Sequence, residues 1–85
     1  MFPLARLAQE RETGSWTFEV VAKHGVRVFG EPALGAKDCG EVLLPGKRFG
    51  VREILKPAGS AIVFLRLADR TAAAWVAREL SLIHI

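Results

Sequence analysis

Gly25-Val26-Arg27-Val28-Phe29-Gly30-Glu31-Pro32 is the stretch whose reading decides the fold. Val26 and Val28 fall on one side of an extended segment and Arg27 and Phe29 on the other, because side chains alternate along a strand. Gly25 permits a tight entry. Gly30 and Pro32 end the run, since proline has no N–H to give to a sheet ladder. A short two-faced strand that runs into a polar loop points to a small β-barrel.

The same alternation recurs on both sides of this stretch. Upstream, residues 16 to 22 form a strand with Trp16, Phe18 and Val20 on one side, and Lys23-His24-Gly25 turns the chain. Downstream, a loop over residues 31 to 40 carries Pro32, Gly35, Asp38 and Gly40. A brief strand over residues 41 to 44 stops at Pro45-Gly46, a pair suited to the centre of a type II turn. Residues 47 to 55 follow, with Phe49, Val51, Glu53 and Leu55 sharing one face. A hairpin loop over residues 56 to 60 leads to a strand over 61 to 68, with Val63, Leu65 and Leu67 on one face. After a turn at Asp69-Arg70-Thr71, residues 72 to 77 make a last strand around Trp75 and Val76. The expected fold is all-β: a small antiparallel barrel of about five strands, closed into a cylinder, with an N-terminal extension.

Both ends stand apart. Residues 1 to 13 carry helix-forming Arg6, Gln9, Glu10, Arg11 and Glu12, with Phe2, Leu4, Leu7 and Ala8 able to line one face. The string from Arg6 to Trp16 also resembles that from Arg66 to Trp75, as though residues 1 to 16 were the tail of a preceding repeat in a tandem array. Coincidence in an Ala- and Arg-rich string is the alternative. Ser81-Leu82-Ile83-His84-Ile85 resemble the peptide that results when read-through of a sequencing adapter is translated, so residues 81 to 85 are set aside as a C-terminal tail. A genuine apolar end strand is the alternative.

Composition narrows the function classes. The chain has 85 residues, 51% apolar and 25% charged, which suits one small folded domain. Its twelve basic and nine acidic residues are interleaved and net only +3, a pattern of solubility more than of a grip on nucleic acid. No apolar run approaches the ~18 residues that span a bilayer, and residues 1 to 7 lack the pattern of a signal peptide. Cys39 is the only cysteine, so no internal disulfide forms, which leans towards a reducing compartment. One cysteine and two histidines cannot close a four-ligand metal site, and no cofactor motif is present. Neither His24 nor His84 is spaced to serve Cys39 or a serine as a base. Asp69, Glu53 and Glu41 read as solvated or ion-paired carboxylates. The chain is not expected to be an enzyme.

The pattern over residues 17 to 80 resembles the bacterial-type SH3 domain, SH3b. Gly25, Val26, Val28 and Pro32 match its opening strand, Val42, Leu43 and Gly46 its apolar pair and glycine, and Phe49 and Val51 the strand after it. Leu65, Arg66 and Leu67 fit the fourth element and Trp75-Val76 the close. Phe29 stands where the family commonly has arginine, Phe64 where it has tryptophan, and Ala74 where glycine precedes tryptophan. The resemblance implies a non-catalytic module that binds peptides, cell-wall polymers or a neighbouring part of its own protein. The proline-peptide groove of eukaryotic SH3 domains relies on tyrosines, of which this chain has none.

Alternation also yields a candidate ligand-binding strip. With Val28, Leu65 and Val76 inward, Phe29, Phe64 and Trp75 point outward beside Arg27 and Arg66. Exposed aromatics flanked by arginine are common binding hot spots. The competing expectation is that an adjacent repeat or the N-terminal segment covers them, leaving a spacer with no external ligand.

Overall fold

The computed structural model describes residues 10–32, 38–59, 61–78 and 82–85. Among these residues there are seven strands and no helix: β1 (Glu10–Val20), β2 (Val26–Phe29), β3 (Asp38–Leu43), β4 (Arg48–Lys56), β5 (Val63–Leu67), β6 (Trp75–Arg78) and β7 (Leu82–His84). They form one antiparallel sheet in the order β3-β2-β6-β5-β4-β1-β7. The all-β expectation holds. The closed cylinder of about five strands is corrected to a curled sheet of seven, whose ends β3 and β7 do not pair with each other.

Both additions come from the ends of the chain. Glu10–Thr13 pair residue for residue with Lys56–Glu53 as the first part of β1. The helical reading of residues 1 to 13 therefore fails for this part, because a partner strand outweighs weak helix propensity; residues 1 to 9 lie outside the described residues. At the other end Leu82, Ile83 and His84 pair with Val20, Glu19 and Phe18, and the Leu82 side chain is buried.

The inner side of the sheet holds the main core: Phe18, Val20, Val26, Val28, Leu43, Phe49, Val51, Leu65, Leu67, Val76 and Leu82. These are the positions that period-2 alternation assigned inward on β1, β2, β5 and β6. On β4 the simple alternation breaks. Val51 pairs with Leu67 but Glu53 pairs with Arg66, so Arg52 is an extra residue relative to β5. Facing it, β1 carries Gly14 and Ser15 between the pairs Thr13–Glu53 and Trp16–Val51. A bulge of this kind bends the strand and changes which side the following residues face. Ile54 consequently packs on the main core, whereas Glu53 and Leu55, expected to share a face with Phe49 and Val51, belong to the outer side.

Two turns show why glycine is needed. Lys47 N–H donates to the Leu44 carbonyl at 3.0 Å across Pro45-Gly46, with Gly46 at φ 86°, the type II geometry expected. Gly25 adopts φ 81°, and a Cβ there would lie 2.5 Å from the Leu43 carbonyl oxygen. The β2–β3 pairing thus sits directly against the turn that precedes the opening strand.

Leu65 has no solvent exposure (0%) and lies between β4 and β6. Leu65→Asp is expected to abolish the cooperative thermal transition, since an unpaired buried carboxylate costs several kcal/mol, a large share of a small domain's stability. A circular-dichroism melt matching wild type would refute the placement.

Candidate functional site

The sheet register gathers most of the candidate strip on the outer face. Phe29 pairs with Trp75, Trp75 with Arg66, Arg66 with Glu53 and Glu53 with Thr13, so one row crosses β2, β6, β5, β4 and β1. The neighbouring row runs Arg11–Leu55–Phe64–Ala77. Arg27 lies two residues before Phe29 on the same side of β2.

Exposure differs from the expectation. Phe64 is 2% exposed and Trp75 5%, so neither faces solvent. They pack with Leu55 into a second small core, flanked by Ile62 and Ala77. The Arg66 guanidinium lies 5.9 Å from the Trp75 ring centroid. Phe29 is half-buried, Arg66 is half-buried and Arg27 is exposed. The outward direction given by alternation is right, but the outer face carries a packed cluster where an open aromatic groove was expected. Leu55, delivered to this face by the Arg52 bulge, supplies apolar surface that strict alternation on β4 had assigned inward.

Charge organises the same face. Glu53 is 7% exposed and receives two arginines: Arg11 Nε lies 2.6 Å from Oε2 and Arg66 Nη1 lies 3.5 Å from Oε1. Oε2 has no well-directed hydrogen bond, so its contact with Arg11 is an ion pair of charge more than of geometry. Reading Glu53 as ion-paired was sound, but its partners were not legible, because both depend on the bulged register. A second ion pair ties an edge to a turn. Arg70, in the turn after β5, donates through two nitrogens to both carboxylate oxygens of Glu41 on β3. These hydrogen bonds hold the Glu41 carboxyl below its ordinary value, against a smaller opposing effect of burial, and raise the Arg70 guanidinium. Glu19 and Arg48 pair at 2.9 Å on the exposed side of β1 and β4.

A groove of about 400 Å³, missed by the sequence reading, opens beside the first half of β1. Ile54 and Val63 are its half-buried apolar surface and pack on the main core, while Glu10, Arg11, Glu12 and Lys56 line it with charges of both signs. Glu12 and Ile54 share the inner row with Leu65 and Val76. The signal available in the sequence was the alternation Glu10-Arg11-Glu12-Thr13, which residues 1 to 16 lost by being read as an extension. Among the described residues no three of His, Cys, Asp and Glu come together as a metal site.

No family model matches the chain, and no curated protein matches it significantly. Among solved structures it is similar to the cell wall binding domain of the Staphylococcal phage 2638A endolysin, with a TM-score of 0.64 and 20% identity over 81% of this chain and 72% of that one. At this identity the likeness is one of fold. The chain has an all-β, SH3-like architecture, with seven strands in an open sheet.

Phe64→Ala is expected to lower stability by about 3–5 kcal/mol, the usual cost of emptying a buried phenylalanine site, read as a large fall in melting temperature. Little or no fall would return Phe64 to the surface. The Glu41–Arg70 pair makes stability pH-dependent in a stated direction. Glu41 is depressed in the folded state, so its contribution is complete above its ordinary value of 4.5 and is lost as the pH falls through the lowered value. Glu41→Gln is expected to reduce stability at pH 7 and to flatten its acid dependence below about 4.5 relative to wild type. Parallel stability–pH curves for the two proteins would remove this role.

Proposed function

We propose that this chain is a non-catalytic SH3b-like binding module that recognises a peptide or a cell-wall-type polymer as part of a larger protein. The observation that carries the reading is the groove beside Glu10–Glu12: an apolar strip bordered by carboxylates and an ammonium, on a fold like that of a cell wall binding domain. Such a surface suits a flexible polar ligand, with Ile54 and Val63 giving contact area while Glu10, Glu12 and Lys56 fix orientation. Of the outer strip, Arg27, Phe29 and Arg66 remain for ligand contact, and Phe64 and Trp75 support them from beneath.

A second reading, that of a spacer with no external ligand, draws on the burial of Phe64 and Trp75, which removes the aromatic platform expected of a binding strip. Binding to purified bacterial walls separates the two. Wild type is expected to sediment with peptidoglycan freed of other wall polymers, and Glu12→Lys/Lys56→Glu, at exposed positions, to weaken this by roughly tenfold while shifting stability little. A folded wild-type protein that stays in the supernatant with every wall preparation and every wall peptide supports the spacer and sinks the binding module.

A further inference from the structure

We infer that the outer face carries a subsite for a phosphodiester polymer, built from Arg11, Arg52 and Arg66 around the buried Glu53. This rests on the binding-module reading but centres the polyanion on Glu53 of the outer face, with Arg11 at the border shared with the groove. The carboxylate of Glu53 is almost fully enclosed and turned towards Arg11 and Arg66. The approaches are Nε of Arg11 at 2.6 Å and Nη1 of Arg66 at 3.5 Å. Two guanidiniums therefore share one negative charge, and Arg52, exposed at the bulge next to Glu53, adds a third cation.

The guanidiniums are both fixed and accessible. Arg11 is 53% exposed and Arg66 30% exposed in their side chains, so neither is sealed off from solvent. Arg66 is held from beneath by the Trp75 ring and from the side by Glu53. This lowers the entropy lost when an anion docks. A planar fork with donors to spare matches phosphate oxygens in paired hydrogen bonds. Arg11 and Arg66 are anchored on β1 and β5, with β4 between them, so their backbones stand about 10 Å apart. An open face with several separate cations suits a chain of repeated phosphates better than one small anion, because each contact raises the effective concentration of the next.

Burial decides against nucleic acid as the occupant. Single-stranded binders combine cations with exposed rings on which bases stack. Here Phe64 and Trp75 are enclosed, and Phe29 is only partly accessible. A polymer without bases, such as a poly(glycerol phosphate) of the cell-wall type, uses the guanidiniums and needs no stacking platform.

The test titrates the full chain with poly(glycerol phosphate), with long-chain inorganic polyphosphate, and with a single-stranded oligonucleotide of equal phosphate number. Wild type is expected to bind both base-free polymers, more weakly as salt is raised. The Arg52→Glu variant is expected to lose roughly tenfold in affinity, and Arg11→Gln/Arg52→Glu more than that. The Arg52→Glu variant, which leaves the groove lining intact, is not expected to change binding to phosphate-free peptidoglycan; Arg11 also lines the groove, so the double variant is read on the polymers alone. The groove variant Glu12→Lys/Lys56→Glu is expected to show the converse pattern, so the two sites fail separately. Should the double variant not fold, Arg52→Glu alone carries the test. Wild-type affinity for the polymers in a folded Arg52→Glu protein overturns the assignment, as does tighter binding of the oligonucleotide than of poly(glycerol phosphate).

Discussion

The exchange of faces at the bulge around Arg52 is the constraint on which the rest of the structure depends. Up to Val51, β4 contributes alternate residues to the main core; beyond Arg52 the same parity belongs to the outer side. Gly14 and Ser15 place a matching irregularity in β1, so the two longest strands bend together. Without that exchange Leu55 would point inward, Ile54 outward, and the outer face would lose the partner on which Phe64 and Trp75 pack. A local insertion of one residue thus divides the apolar side chains between two cores.

The legibility of the sequence follows the same line. Where a strand is regular, period 2 identifies both its existence and its buried side: Phe18 and Val20, Val26 and Val28, Leu65 and Leu67, and Val76 are all enclosed as expected. The Pro45-Gly46 turn was legible because proline and a positive-φ glycine have few other uses side by side. The bulge was not, since Arg52 in an alternating run carries no local mark, and its effect depends on the partner strands. Glu10–Thr13 was misread because a charged, helix-favouring stretch becomes a strand only when Glu53–Lys56 lie beside it. For the site, alternation gave the correct outward side for Phe29, Phe64 and Trp75 with Arg27 and Arg66. It could not reveal the depth at which Phe64 and Trp75 lie, which is a property of packing.

The charged residues are distributed by role. Glu53 is enclosed and serves two arginines on the outer face, whereas Glu41 and Arg70 meet part-buried and join β3 to the turn after β5. A bidentate pair between an edge strand and a distant turn fixes their relative position through two contacts at once. A net charge of only +3 conceals this arrangement, because the paired charges cancel in the sum while remaining directional in space. Composition therefore understates how unevenly the surface potential is laid out.

The open ends of the sheet carry their own consequence. Among the described residues β3 and β7 each pair with one strand, and Val42, Leu44, Ile83 and Ile85 are exposed. An edge strand beside greasy side chains can act as a template for another strand, whatever chain supplies it. A lysine placed at Val42 or Ile83 would act as a gatekeeper against such edge-to-edge stacking.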